Sequence, residues 1–363
     1  MKILMVGGGT GGSVTPLIAI AQYLKNQKTD LEFIWFGTYK GPEKNLVLAA
    51  DIKFIPIFSG KFRRYFSWQN FIDIFFIIFG FIQAFVYFFK FKPDVMISAG
   101  SFVAVPVGLV AFIFRCPQII HQQDIVTGLA NKILSFLANK ITVTFPEQVA
   151  NFPSSKVVLS GNPIREEILQ GNKSKAIQLL SLEKDLPTVL VVGGGTGAMK
   201  LNQLIQGALP ELLQFCQVIH ITGKNKKVQA LALKDFSTRY HQFDFILNEM
   251  PDILAVADLV ITRGGMGFLT ELAALGKPTL IIPIPDSHQE ANANYFVQQR
   301  AAIYLDQNKI SSQSLIDDLK ELIADKAALN YLGINIKKLY QPMAAQIISE
   351  SLLTLFNEKI NNR

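Results

Sequence analysis

At 363 residues the chain is long enough for two domains, each with its own core. Half of its residues are apolar and 17% are charged, which excludes a disordered chain, and a formal charge of +7 suits anionic lipid or phosphorylated ligands. No dense Lys/Arg run with interleaved aromatics occurs, so no nucleic acid is expected as a partner.

The chain opens on an apolar run, Lys2 to Val6, with no signal-peptide pattern. Its two cysteines, Cys116 and Cys216, stand far apart without metal-like spacing. Both features lead to the expectation of a reducing, cytoplasmic setting. The run ends in Gly7 to Gly12, which read Gly-Gly-Gly-Thr-Gly-Gly, and Pro16 to Leu24 follows with helical apolar spacing. A strand that ends in glycines and opens a helix gathers backbone N–H groups and the positive helix end at one spot, a setting for phosphate or diphosphate. A tight turn without ligand gives the same pattern. Near-repetition of the phrase at Gly193 to Ala198, after Val189 to Val192, favours the anion sites.

Further strands are expected at Leu31 to Phe36 and Ile52 to Phe58. Next comes a basic-aromatic stretch, Lys61 to Phe66, and then Phe71 to Phe91, in which Gln83 is the one polar residue from Ile74 to Phe89. Sixteen such residues fall short of the roughly 20 that span a bilayer. A core helix need not be apolar on every side. The expectation is a helix lying in the membrane surface, with Lys61, Arg63, Arg64, Lys90 and Lys92 meeting anionic headgroups over 61–92.

Strands at Val95 to Ser98, Pro117 to Ile120 and Ile141 to Phe145 complete the predicted first sheet. The second of these delivers His121-Gln122-Gln123-Asp124 to its carboxyl end, where ligands of open α/β sheets sit. His121 suits catalysis or a buried structural role equally. Val157 to Leu159 leads into a turn-rich hinge, Gly161-Asn162-Pro163-Ile164-Arg165.

In the second half, a strand at Val189 to Val192, another ending at His220 to Gly223, and one at Asp258 to Thr262 alternate with helical segments, which indicates a parallel sheet covered on both faces. A third glycine loop, Arg263 to Gly267, precedes a helix carrying Glu271. That carboxylate can accept two ribose hydroxyls, or it can be a surface Glu near a helix start. Leu280 to Pro283 is a strand, and Asp286 to Asn292 opens another helix. Residues 311–358 read as helical and amphipathic. No Asp-x-Asp motif or His/Cys cluster calls for a metal, and no cofactor is expected. The first glycine loop lacks the acidic residue about 20 positions on that marks a dinucleotide site, which ranks a nicotinamide enzyme low.

The three glycine loops, the Gly-Asn-Pro-x-Arg hinge and the Asp-x-His-Gln-x-x-Asn stretch together resemble the MurG family of peptidoglycan synthesis, from Met1 to about Leu305. The resemblance implies an α/β fold of GT-B type, two doubly wound Rossmann-like domains facing a cleft. It divides the chain into an acceptor and membrane-associating domain at 1–163, a UDP-sugar domain at 164–340, and a C-terminal helix at 341–363 returning to the first domain. The implied reaction is inverting, metal-free transfer of N-acetylglucosamine from UDP to undecaprenyl-diphosphate-linked muramoyl-pentapeptide (lipid I), giving lipid II at the cytoplasmic face of the cell membrane.

Carried over residue by residue, the first loop implicates Thr10, Gly11 and Gly12 with the acceptor diphosphate. Arg165 matches the donor-diphosphate arginine, and Gly195 and Thr196 fall in the second-domain loop. Leu247 matches a backbone contact to uracil. Met266, Gly267, Phe268, Leu269, Thr270 and Glu271 correspond to the nucleotide loop and helix, with Glu271 on the ribose. Gln289 matches a donor-sugar contact and Asn292 the asparagine of that motif. The chain departs from the family where His becomes Ser13, where His-Glu-Gln-Asn becomes His121-Gln122-Gln123-Asp124, where Ser-Gln becomes Gly195-Thr196, and where Gly-Gly-Tyr becomes Gly100-Ser101-Phe102.

The attacking hydroxyl needs a base. An unperturbed Ser13 hydroxyl cannot serve, so Asp124 is the first candidate and His121 the second. Three alternatives stay open: a glycosyltransferase for another lipid acceptor, a non-catalytic nucleotide-binding membrane scaffold, and a sugar-nucleotide epimerase of the same fold.

Overall fold

The computed structural model describes all residues except Thr10, 28–29, Pro42, 61–67, 195–197, Lys227, 229–236 and 362–363, and omits the side chains of 68–72 and 237. Two compact units result, Met1–Arg165 with Gln341–Arg363, and Glu166–Tyr340.

The first unit runs β1 (Lys2–Val6), α1 (Thr15–Gln27), β2 (Glu32–Gly37), α2 (Glu43–Ala49), β3 (Lys53–Pro56), α3 (Trp68–Phe91), β4 (Val95–Ser98) and α4 (Ala104–Ile113). It continues with β5 (Gln118–Gln122), α5 (Leu129–Leu137), β6 (Lys140–Val143) and β7 (Val157–Leu159). Its seven strands lie in the order β3-β2-β1-β4-β5-β6-β7, all parallel. Helices cover both faces, so the central strands are buried on both sides; β4 is buried at all four positions. β7 adds a strand beyond the one expected to be last, Ile141 to Phe145. It is three residues long and only half-buried, too short for periodicity to register.

The second unit runs α6 (Lys173–Leu180), β8 (Thr188–Val192), α7 (Met199–Phe215), β9 (Gln217–Ile221), β10 (Tyr240–Phe243), α8 (Met250–Val256) and β11 (Leu259–Thr262). Then follow α9 (Met266–Leu275), β12 (Thr279–Ile281), α10 (His288–Gln298), β13 (Ile303–Tyr304), α11 (Ser312–Ala324) and α12 (Lys326–Lys337). The sheet order is β10-β9-β8-β11-β12-β13, again parallel. The last helix, α13 (Ala344–Asn361), belongs to the first unit. Its Ile348, Leu352 and Leu355 are buried with Ile3, Met5 and Leu17, and Lys359 Nζ donates to the Asp94 carbonyl at 2.9 Å.

The strand order reverses direction between β1 and β4 in one sheet and between β8 and β11 in the other. Such switch points open a crevice at the carboxyl ends of the strands. All three glycine loops follow these strands: Gly7 to Gly12 after β1, Gly193 onward after β8, and Gly264-Gly265 after β11.

α3 is amphipathic by packing rather than by composition. Ala84 and Phe88 are buried in the first unit's core, with Phe81, Tyr87 and Phe91 half-buried beside them. Gln83 accepts from the Phe58 N–H at 2.8 Å and donates to Tyr39 Oη at 2.9 Å. Elsewhere on the helix Phe75 is 63% exposed, Phe79 54% and Phe89 67%. α4 packs on α3 and α5 on α4, extending the apolar surface with exposed Phe112, Ile113 and Phe136. By length and composition Asp73–Phe91 is sufficient to cross a membrane, so shortness no longer excludes a span. Instead, the seating of Ala84, Phe88 and Gln83 ties the helix to its domain. Lys90 and Lys92 are exposed at its end, whereas Lys61, Arg63 and Arg64 lie outside the described residues.

Candidate active site

In the first unit the Gly7–Gly12 loop is held from beneath by side chains. Trp35 Nε1 donates to the Gly7 carbonyl at 2.8 Å. The Gly8 carbonyl accepts from Ser101 Oγ at 2.9 Å and Ser13 Oγ at 3.4 Å. Gly9 has φ +82°, and a side chain there would strike the Phe102 ring, so only glycine fits. Its N–H donates inward to Glu43 Oε2 at 3.2 Å. Gly11 lies at the foot of α1 with open space around its Cα, and its carbonyl accepts from the N–H groups of Val14 and Thr15. Gly12 follows it, and Thr10 lies outside the described residues. Ser13 therefore braces the loop.

Across the switch point, the end of β5 carries a polar network. His121 is fully buried, with Nδ1 3.0 Å from Thr142 Oγ1 and Nε2 2.9 Å from Asn162 Oδ1. Burial pushes its pKa down to about 4 against those two hydrogen bonds, so the ring is neutral. A ring with both nitrogens engaged and no exposure has no path to an attacking hydroxyl, which removes His121 as a base in this conformation and selects its structural alternative. Asn131 Nδ2 donates to the His121 carbonyl and to Gln122 Oε1. Gln123 is also turned inward, donating to the Ala99 carbonyl. Asp124 differs from its three neighbours: its carbonyl accepts from Gln122 Nε2 at 2.6 Å and from Gln148 Nε2, while the residue itself is half-exposed. Its backbone is clamped, and the residue reaches solvent at the carboxyl edge of the sheet. Arg165, 8% exposed, closes the hinge three residues after Asn162.

In the second unit, α7 and α9 start from Ala198 and Gly265, and neither start is capped by a side chain. α10, by contrast, is capped by Ser287, whose oxygen accepts from the Gln289 N–H. Two helix N-termini beside one switch point, neither capped by the side chain of its own N-cap residue, form a setting for a diphosphate. Gly195 and Thr196 lie outside the described residues. Gly264 is packed so close to the Gln289 carbonyl that a Cβ would collide with it. The fully buried Asn292 pins the same loop, donating from Nδ2 to the Gly264 carbonyl at 2.9 Å. Gln289 is half-buried and accepts from the Ile284 N–H.

Along α9, Met266 and Gly267 are buried, Phe268 is half-exposed, and Thr270 Oγ1 donates to the Met266 carbonyl at 2.8 Å. Leu269 is fully buried and its N–H is bonded to the Gly265 carbonyl, so its contribution is packing. Glu271 is 4% exposed, which rules out the surface-Glu alternative. Leu247 is half-buried in the turn between β10 and α8.

Several further buried residues hold this framework together, none of them singled out as a site residue from the sequence. Arg263, beside the third loop, is 5% exposed and donates to the carbonyls of Ile282 and Pro283 and to Gln307 Oε1. Burial pushes its pKa down to about 10, and it ties β11 to β12. His220, like His121, is buried, shifted down to about 4 by burial, and bonded through both nitrogens, here to Tyr240 and Asn202. Glu43, Gln148, Thr142 and Asn162 lie far along the chain from the groups they hold. Among the described residues no group of three His, Cys, Asp or Glu side chains is placed to hold a metal ion.

Residues 3–143 match the glycosyltransferase family 28 N-terminal domain and residues 188–345 its C-terminal domain. The chain is 40% identical to a UDP-N-acetylglucosamine–N-acetylmuramyl-(pentapeptide) pyrophosphoryl-undecaprenol N-acetylglucosamine transferase of Bacillus thuringiensis, over 91% of this chain and 93% of that protein. It is also 40% identical to the transferase of that name from Lachnospira eligens, over 90% and 92% of the two chains. Among solved structures, MurG of Acinetobacter baumannii shares the fold with a TM-score of 0.71 at 24% identity, covering 97% of this chain and 99% of that one. A UDP-GlcNAc 2-epimerase from Neisseria meningitidis shares it nearly as well, with a TM-score of 0.70 at 16% identity over 98% and 100% of the chains. The fold alone therefore does not choose between transfer and epimerisation.

Proposed function

The chain belongs to glycosyltransferase family 28, among the MurG-type enzymes, and on that premise we propose that it transfers N-acetylglucosamine from UDP-N-acetylglucosamine to undecaprenyl-diphosphate-linked muramoyl-pentapeptide. What carries this reading is 40% identity to a transferase of that name over 91% of the chain, both domains included.

In this reading each of the two switch points takes one substrate. The first unit takes the acceptor, with its diphosphate at Gly7–Gly12 and its hydroxyl beside Asp124, which serves as general base. Asp124 is favoured because it is the member of the β5 quartet that reaches solvent. The second unit takes the donor: the first turns of α7 and α9 receive the departing UDP diphosphate, Glu271 receives the ribose, and Gln289 the sugar, while Arg165, the last residue before that unit, matches the family's donor-diphosphate arginine. Fixed N–H dipoles and a guanidinium stabilise developing phosphate charge without a metal ion. The α3–α5 surface docks on the cytoplasmic leaflet as a peripheral anchor, apolar rings in the acyl boundary and Lys90 and Lys92 at the headgroups.

A second reading, transfer to a different lipid-linked acceptor, rests on the acceptor side alone, where Ser13 and Ser101 both bond the Gly8 carbonyl. One assay separates the two. Purified protein with liposomes, UDP-N-acetylglucosamine and a lipid I analogue releases UDP in step with disaccharide formation if the first reading holds. Release only with another polyprenyl or glycerolipid acceptor establishes the second.

A further inference from the structure

We infer that Glu43 is a positioning residue of the acceptor-diphosphate loop, setting which backbone N–H groups of Gly7–Gly12 are left for the ligand. The inference rests on the acceptor role of that loop proposed above. Glu43 opens α2 and is fully buried. A buried carboxylate is costly unless its lone pairs are filled. Its Oε1 accepts from the Thr38 N–H at 2.6 Å and from the Thr38 hydroxyl, and its Oε2 accepts from the Gly9 N–H at 3.2 Å. Charge-assisted bonds of this kind are strong and directional.

The consequence lies in the Gly8–Gly9 peptide. Its N–H is drawn inward by Glu43, and its carbonyl is held by Ser101 and Ser13. The plane of this peptide is thus fixed from both sides, and Gly9 is held at its positive φ. The carboxylate also crowds Gly8, where a Cβ would collide with Oε1. Two acceptor oxygens are required here, one for Thr38 and one for Gly9. A glutamine at this position presents an NH2 group to one of the two backbone N–H groups whichever way its amide is turned, so the loop loses its lock while the side-chain volume stays constant.

The loop contains its own reporter. Trp35, bonded to the Gly7 carbonyl, is one of two tryptophans in the chain, and Trp68→Phe leaves it as the sole emitter. The experiment titrates a short-chain polyprenyl diphosphate in detergent micelles into the Trp68→Phe protein and follows Trp35 emission. Three backgrounds are compared: no further change, Glu43→Gln and Thr38→Val. Thr38→Val removes the hydroxyl bond to the same carboxylate but spares the bond to Gly9, so it controls for loss of stability alone.

The expected result is a Kd raised tenfold or more by Glu43→Gln, and within threefold of the parent for Thr38→Val, with UDP binding unchanged in both. Equal weakening by the two variants, or none by Glu43→Gln, overturns the inference. Because the readout is binding, a protein that binds the diphosphate but transfers no sugar to the lipid I analogue counts against the proposed reaction and leaves this inference standing.

Discussion

The Nε2 atom of His121 lies 2.9 Å from Oδ1 of Asn162, joining the carboxyl end of β5 to the hinge that ends in Arg165. With Nδ1 facing Thr142, the ring is a buried, neutral strut. In the unfolded chain a histidine takes up its proton near pH 6.5, whereas here the folded ring resists protonation down to about pH 4. Its stabilising contribution is therefore complete above pH 6.5 and is lost as pH falls toward 4, and His220 adds to the same trend. Thermal unfolding from pH 8 to 4.5 is expected to show Tm declining below pH 6.5, and less steeply in His121→Leu. Equal slopes would contradict a neutral ring.

Asp124→Asn keeps the backbone clamp from Gln122 and Gln148, because both bonds go to its carbonyl. Loss of a general base lowers the rate by about 10²–10⁴. We expect kcat to fall in that range with the UDP-N-acetylglucosamine KM within threefold of wild type. Steady-state UDP release measures both, and a kcat within a few-fold of wild type sinks the assignment.

Phe75 and Phe79 stand more than half exposed on α3. Removing two phenyl rings from an apolar boundary costs about 1.5–3 kcal/mol each, so partitioning falls by roughly 10² or more. Liposome flotation of Phe75→Ser/Phe79→Ser against wild type tests this, using vesicles with anionic lipid. Equal flotation excludes that part of the patch as the anchor.

Asn292→Ala strips the third glycine loop of the bond to the Gly264 carbonyl and leaves that buried acceptor unpaired. Such an orphan costs about 1–3 kcal/mol. The expected outcome is a lowered Tm and a raised donor KM, with the acceptor KM unchanged. Calorimetry and two-substrate kinetics on one preparation decide it, and an unchanged donor KM separates this loop from the nucleotide.

Much of this architecture is legible in the chain because its signals are local. β1 and β8 are short apolar runs that stop at glycines, β11 is one that stops just short of Gly264, and both faces of each strand are buried, so three or four consecutive apolar residues suffice to mark them. The apolar helix after residue 67 is equally plain. What the residues alone left open depends on groups far along the chain. His121 stays ambiguous until Thr142 and Asn162, 21 and 41 residues away, occupy its nitrogens. Glu43 stands in no motif of the sequence, and its place appears only when the fold brings it to Gly9, 34 residues distant. Likewise, Leu269 sits among residues matched to a nucleotide site yet faces the core, because one turn of α9 has both a ligand side and a packing side.

α13 seals the first unit's core from a distant stretch of the chain, packing on α1 and β4 with Ile348 and Leu352 fully buried. On the ribosome this inverts the usual N-to-C order of folding. Residues 166–340 can complete their own core as they emerge, while the older half must wait, its α1 and β4 surfaces uncovered, until α13 leaves the exit tunnel. The part of the chain made first is thus finished last, and the apolar face that Ile348 and Leu352 cover stays open to water throughout that interval.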